Sequence, residues 1–263
     1  MSEPVVIKVG GALLENTAAL SSFIQAIEQI AAARAVVIVH GGGNGVEALL
    51  AKLGFQSEKH QGLRVTPDEQ MPYIAGALAG TANRQLCAIA KQQGLRPVGL
   101  SLFDGNSIEC VAISAALHAV GKATPNDPEL LLGLLEKGYV PIVSSIGCNT
   151  EGRLLNVNAD QAATAVAELL NADLYLLSDV TAVLDDNNKP LTQLSATQIQ
   201  VLVANQTIKD GMLVKVNAAL QAANHLGKPV TIGSWADTGS LIANATQQNH
   251  TPFGTQIIPH TLG

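Results

Sequence analysis

Short apolar runs and longer stretches of helical periodicity take turns along nearly the whole chain. Val5, Val6, Ile7 and Val9 form one run broken only by Lys8, and Val36, Val37, Ile38 and Val39 form another. A β-branched run of this length that ends in glycine predicts a buried strand. Residues 18–33 repeat apolar side chains at helical spacing, and 45–53 predict a helix opening on a glycine turn. A long helical stretch over 67–93 follows, with Pro67 near its first turn and Gly94 near its stop. Next come a strand over 97–100, a hairpin of 108–113 with 117–122, a helix over 128–137 and a strand over Val140–Ser144. A helix over 161–170 and a strand over 174–177 lead to a polar turn from Asp185 to Pro190. Helices over 195–205 and 212–226 and strands over 230–232 and 255–258 complete the pattern. Repeated strand–helix units predict an α/β fold, a mainly parallel central sheet sandwiched between helices. With no internal repeat, low-complexity linker or clean boundary, residues 1–263 read as one domain, with a change of composition near residue 170.

In such sheets ligands gather at the carboxyl ends of the strands. Lys8, the turn of Gly41, Gly42 and Gly43, the pair Ser144 and Ser145, and the pair Ser178 and Asp179 all fall at predicted strand ends. Gly10 and Gly11 make a second glycine turn directly after Lys8. Each turn alone is compatible with a plain strand-to-helix corner. Two of them, one beside a lysine, favour a cradle in which backbone amides meet phosphate or carboxylate oxygens. The chain has no Walker loop and no G-x-G-x-x-G after a strand, so neither a P-loop nor a dinucleotide fold is indicated.

Composition narrows the classes further. Hydrophobic residues make up 47% of the 263, charged residues 14% and aromatics 3%, which predicts a large aliphatic core. A formal net charge of -6 argues against a broad nucleic-acid face. It leaves room for small anions focused by a few lysines. No stretch approaches the ~20 apolar residues of a membrane helix. Met1-Ser2-Glu3-Pro4 has no basic leader character. Cys87, Cys110 and Cys148 are widely spaced and read as thiols of a reducing, cytoplasmic setting. His40 reads as a packed strand-end histidine ahead of one near phosphate, and His60 either as part of a lid hairpin or as a solvated side chain. His118, His225, His250 and His260 lack metal-site spacing.

The densest polar cluster in apolar surroundings is Asn156-Val157-Asn158-Ala159-Asp160-Gln161. Asn156 and Asn158 share a side if this segment is extended. Asp160 reads either as a helix N-cap or first-turn residue or as a carboxylate that fixes nearby cations. Lys215 lies one turn into a largely apolar helix that begins near Gly211, and read alone it is a lysine snorkelling to the surface.

These segments together resemble the amino-acid kinase family, and within it the members that phosphorylate N-acetyl-L-glutamate. The matching stretches are Ile7-Lys8-Val9-Gly10-Gly11, His40-Gly41-Gly42-Gly43, Gly62-Leu63-Arg64-Val65-Thr66 and Gly76-Ala77-Leu78-Ala79-Gly80-Thr81-Ala82-Asn83. They continue with Val143-Ser144-Ser145-Ile146-Gly147, Asn156-Val157-Asn158-Ala159-Asp160-Gln161-Ala162-Ala163, Leu177-Ser178-Asp179-Val180 and Gly211-Met212-Leu213-Val214-Lys215. The resemblance implies ATP-dependent phosphorylation of the γ-carboxylate of N-acetyl-L-glutamate to N-acetyl-L-glutamyl 5-phosphate, the second step of arginine biosynthesis. It implies catalytic roles for Lys8 and Lys215, with Asp160 holding both. Gly10, Gly11 and Gly42 would bind phosphoryl oxygens. Gly42, Gly43, Arg64, Asn156 and Asn158 would bind the amino acid.

The nucleotide would lie against Ser178, Asp179, Val180, Thr181, Ala182, Val183, Leu184, Thr207, Ile208, Lys209, Gly211 and Met212. ATP would bring Mg2+ on its own phosphates, with no protein metal site. Residues 1–170 would serve the amino acid and dimerisation, and 171–263 would serve ATP. The small-residue helix within 67–93 resembles the family's dimerisation element. Because the sequence opens at its first strand, the resemblance is to the short, arginine-insensitive homodimeric type. Carbamate, glutamate, aspartate and uridylate kinases of the same fold, an inactive amino-acid or nucleotide sensor, and a nicotinamide-dependent oxidoreductase are the competing expectations.

Overall fold

A computed structural model describes residues 3–60, 62–247 and 252–260. Met1, Ser2 and His250 lie outside the described residues. The principal sheet has eight strands: β1 (Val5–Val9), β2 (Val36–His40), β3 (Pro97–Ser101), β4 (Val140–Ser144), β5 (Asp173–Ser178), β6 (Gln193–Leu194), β7 (Val230–Ser234) and β8 (Thr255–Ile257). Their spatial order is β6-β8-β7-β5-β1-β2-β4-β3. β3, β4, β2, β1, β5 and β7 run parallel, while β8 lies antiparallel to β7 and carries β6 beside it. The sheet is therefore α/β and mostly parallel. It passes without interruption across residue 170, because β5 pairs directly with β1.

The alternation of strand side chains decides where the site can form. Val5, Ile7 and Val9 enter one core together with Ile38, Tyr175 and Leu177. Val6 enters the other, with Val37, Val39, Leu174 and Leu176. Two positions on from Val6, Lys8 takes the same side. That side is covered by the helices Ala159–Leu170 and Asp210–Leu226, whose Ala162, Val166, Val216 and Ala219 are fully buried. Each large aliphatic side chain removed from water contributes ~1.5–3 kcal/mol, so these helices are fixed firmly over the strand ends.

Several expectations change in detail. The stretch 67–93 is helical but not one α-helix. Pro67 stands outside it in an extended conformation (φ −56, ψ 145), followed by a 3-10 turn Asp68–Gln70 and a helix Met71–Ala75. A π-helical segment Gly76–Ala82 then widens the coil before the helix Asn83–Gln92. Gly94, at φ +83, ends it. Apolar periodicity does not report this widening, because Gly76, Ala77, Ala79 and Gly80 carry almost no side chain to register it.

The helix expected over 161–170 starts two residues earlier, because Asn158, not Asp160, is its cap. The hairpin of Ile108–Ala112 with Val120–Pro125 forms part of a second, four-stranded sheet completed by Ile146–Cys148 and Leu154–Val157. Its order is Ile108–Ala112, Val120–Pro125, Leu154–Val157, Ile146–Cys148. Lys59–His60 and Leu63–Arg64 form a small antiparallel hairpin. Among the described residues no helix is long and apolar enough to cross a membrane.

Candidate active site

Lys8 leaves β1 one residue before the strand ends, and its Nζ lies 2.8 Å from Oδ1 of Asp160. Asp160 is in the first turn of the helix Ala159–Leu170, where the exposed amides of the N-terminus favour a carboxylate. The Asn158 side chain accepts from the backbone N–H of Asp160 (2.9 Å) and of Gln161 (3.2 Å). That cap fixes the first turn and with it the direction of Asp160.

Lys215 reaches the same place from the helix Asp210–Leu226. Its Nζ donates to Oγ of Ser178 at 3.0 Å and to Oδ1 of Asp179 at 3.3 Å. Lys8, Asp160, Ser178 and Lys215 line one cavity of about 100 Å3 with Leu176, Leu177 and Ile232. The two ammonium groups, distant in sequence, thus share one polar chamber over an apolar floor. The expectation that Asp160 holds both lysines needs correcting. Asp160 pairs with Lys8, whereas Lys215 crosses the end of β5 and meets Ser178 and Asp179 there. Lys8 is the more enclosed of the two, its side chain 15% exposed against 33% for Lys215.

The two glycine turns pack backbone to backbone. A Cβ on Gly11 would lie 3.1 Å from the Gly43 nitrogen and 3.2 Å from the Gly42 carbonyl carbon. Substituting Gly11 with alanine should push the turns apart by a few tenths of an ångström while leaving the cores intact. A displacement of that kind at reacting groups costs about tenfold or more in kcat/KM. Steady-state rates on folded Gly11→Ala protein check this, and unchanged kinetics would mean the turns do not set the geometry of the reaction.

Beneath the second turn, His40 is fully buried. Its Nε2 is 3.1 Å from Nδ2 of Asn83, and its Nδ1 is 2.9 Å from the Gly41 oxygen. The Asn83 amide can only donate through Nδ2, so Nε2 accepts and Nδ1–H holds the Gly41 carbonyl. Asn83 Nδ2 also reaches the Ile142 oxygen at 2.7 Å, which ties the turn to β4. Burial lowers the His40 pKa from 6.5 to about 4, against a smaller upward pull from the Gly41 carbonyl. The unfolded chain therefore binds this proton near pH 6.5 and the folded chain only near 4. The stabilisation is complete above pH 6.5 and is lost as pH falls through 4, by ~3 kcal/mol in total. Urea unfolding of the wild type and His40→Gln between pH 7 and 4 should show a shallower decline for the variant, and equal slopes would contradict it.

Beside the lysine chamber lies a second cavity of about 200 Å3, which Gly42, Gly43, Arg64, Asn156 and Asn158 all line. Consecutive residues join the two: Asn158 and Ala159 face this cavity and Asp160 the chamber. Arg64 comes from the small hairpin. It donates to Oγ of Ser57 at 2.5 Å and to the Gly43 oxygen at 3.3 Å, and pairs with Oε1 of Glu47 at 2.8 Å. Five guanidinium N–H groups leave it donors beyond these bonds. Burial pushes the Glu47 carboxyl up, but hydrogen bonds from Arg64 and Ser57 and the charges of Arg64 and Lys59 outweigh that and hold it below its ordinary value. Glu47, one turn into the helix Gly43–Lys52, escaped the sequence reading because nothing in its spacing announces a partner seventeen residues on.

The expected nucleotide segments leave the carboxyl end of β5 and lead into the helix Asp210–Leu226. Asp179, Thr181, Leu184, Lys209 and Gly211 are exposed, and Ser178, Val180, Thr207 and Met212 are half-buried. Ala182, Val183 and Ile208 are instead buried, the last two within the main core.

With this geometry in hand, the comparisons fall into place. The profile of the amino acid kinase family matches residues 3–234, and the chain belongs to that family. The acetylglutamate kinase of Proteus mirabilis (strain HI4320) is 53% identical over 241 residues, covering 91% of this chain and 94% of that protein. The acetylglutamate kinase of Vibrio parahaemolyticus serotype O3:K6 (strain RIMD 2210633) is 49% identical over 258 residues, 97% of each. Among solved structures, smu.665 from Streptococcus mutans UA159 superposes with a TM-score of 0.80 at 28% identity, covering 98% of this chain and 99% of that one.

Proposed function

We propose that this chain transfers the γ-phosphoryl group of ATP to the γ-carboxylate of N-acetyl-L-glutamate, making N-acetyl-L-glutamyl 5-phosphate, the second step of arginine biosynthesis. The observation that carries the reading is the convergence of Lys8, Asp160 and Lys215 on one chamber beside a cavity lined by Arg64, Asn156 and Asn158. Identity of about half to two acetylglutamate kinases over nearly the whole chain supports it.

A carboxylate nucleophile with a pKa near 4.3 is ionised at neutral pH, so the reaction needs no general base. The difficulty is electrostatic, an anion attacking an anion. Catalysis is then positioning plus charge stabilisation of the transferring group. Lys8 faces the phosphoryl oxygens from β1 and is held there by Asp160. Lys215 leaves Ser178 and Asp179 to meet the leaving group. The backbone amides of Gly10, Gly11, Gly42 and Gly43 receive phosphoryl and substrate oxygens. Arg64 takes the α-carboxylate, and Asn156 and Asn158 the remaining polar groups of the amino acid. ATP lies over the exposed members of the 178–184 and 207–212 segments and carries Mg2+ on its phosphates. The N-terminal lobe thus serves the amino acid and the C-terminal lobe the nucleotide. The protein acts in the cytoplasm as a homodimer joined through the helical stretch 67–93.

A coupled assay for ADP release with ATP and Mg2+, comparing N-acetyl-L-glutamate with L-glutamate, tests the reaction. Turnover with the acetylated substrate should exceed that with the free amino acid by about a hundredfold in kcat/KM. Equal rates, or none with either, would refute the assignment. A solution mass other than twice that of the chain would refute the dimer.

A further inference from the structure

Thr66 is fully buried behind the amino-acid cavity and is not among its lining residues. Its backbone stitches two parts of the site together. Its N–H donates to the Leu117 oxygen at 3.3 Å, and its carbonyl accepts from Ala119 N–H at 2.8 Å. Ala119 in turn accepts from Asn156 N–H at 2.8 Å. Between these bonds sits His118, at φ 55 and ψ −116, a strained conformation for a non-glycine residue that persists only where its surroundings impose it.

The Thr66 hydroxyl bridges the two expected substrate groups. Oγ1 is 3.0 Å from the Arg64 carbonyl oxygen and 3.1 Å from Nδ2 of Asn156. A hydroxyl has one proton, and a carbonyl can only accept, so the proton goes to Arg64. Towards Asn156 the oxygen must therefore be the acceptor. That fixes the rotation of the Asn156 amide with its NH2 towards Thr66 and its Oδ1 away from it.

The geometry points to Thr66 as a positioning residue for the amino-acid substrate, its hydroxyl setting which end of the Asn156 amide the cavity presents. The consequence is chemical. Oδ1 of Asn156 accepts, so it asks for a donor on the ligand, which the N–H of an acylated amine supplies. The inference rests on the amino-acid reading of this cavity.

Thr66→Val keeps the shape and removes the hydroxyl, and Thr66→Ser restores it. The valine variant should raise KM for N-acetyl-L-glutamate about tenfold, with KM for ATP within about twofold of wild type. The serine variant should recover most of that loss. In an Asn156→Ala background the valine substitution should add less than about twofold, because both act through one contact. An unchanged KM in Thr66→Val, equal loss in Thr66→Ser, or a full tenfold effect without Asn156 would overturn the proposal. A second measurement decides it even if the wild type fails to phosphorylate acetylglutamate, a result that would sink the functional reading alone. The side-chain amide of Asn156, followed by nitrogen-15 NMR, should exchange with solvent about tenfold faster in Thr66→Val than in wild type. Equal exchange would overturn the positioning role.

Discussion

Lys8→Arg is expected to lower kcat about a hundredfold to a thousandfold while leaving the protein folded, the loss found when one preorganised donor is taken from a developing negative charge. The substitution preserves charge, and a guanidinium still pairs with Asp160, so the fold loses little. The chamber is the reason activity does not survive. It holds about 100 Å3, lined by Leu176, Leu177 and Ile232, and already takes in a second cation, Lys215. An ammonium there is a compact point charge, whereas a planar fork spreads its charge and needs more room. Thermal unfolding within a few degrees of wild type, measured beside the kinetics, separates this from misfolding. Near-normal kcat would remove Lys8 from the transferring group.

Arg64→Ala should raise KM for N-acetyl-L-glutamate by about one to two orders of magnitude, with KM for ATP and kcat nearly unchanged. Charge-assisted hydrogen bonds to a carboxylate contribute ~1.5–3 kcal/mol, and an interaction made equally in ground and transition states appears in KM alone. Arg64 is held at the cavity by Glu47, Ser57 and Gly43, so its fork is aimed before any ligand arrives. Glu47→Gln should therefore raise the same KM by a smaller factor, because it loosens the aim without removing the charge. A rise in KM for ATP in place of that for the amino acid would mean that the two subsites have been exchanged.

The central strands of the principal sheet, β1, β2, β4, β5 and β7, were readable because they are mostly buried, and burial writes itself as apolar runs; the two-residue strand β6 was missed. The strand ends were readable for the same reason: a run such as Val36 to Val39 stops at His40 and the glycines. Shorter elements were not. Ile146–Cys148 and Leu154–Val157 are three and four residues long, too brief for a period of two to emerge, and they were missed as a sheet.

At the site, residue types in glycine turns and in the Asn156–Asp160 cluster stood out locally, but their partners did not. Lys215 read alone as a surface lysine, and only the fold brings its Nζ to Ser178, 37 residues away in sequence. Thr66 and Asn156 are 90 residues apart, and Asn83 reaches His40 across 43. Such contacts leave no trace in spacing. Val183 and Ile208 lie within segments expected to touch nucleotide, and their side chains belong to the core, which single residue types in a polar segment did not announce.

The most direct measurement is a crystal structure of the protein with Mg2+, ADP, tetrafluoroaluminate and N-acetyl-L-glutamate, in which the fluoride plane stands for the migrating phosphoryl group. Nζ of Lys8 and Nζ of Lys215 should each lie ~3 Å from a fluoride, with the γ-carboxylate of the amino acid in line behind the metal fluoride. A fluoride plane seated beyond reach of both amines, with Lys215 still bonded to Asp179, would show that the chamber is not where phosphate is transferred.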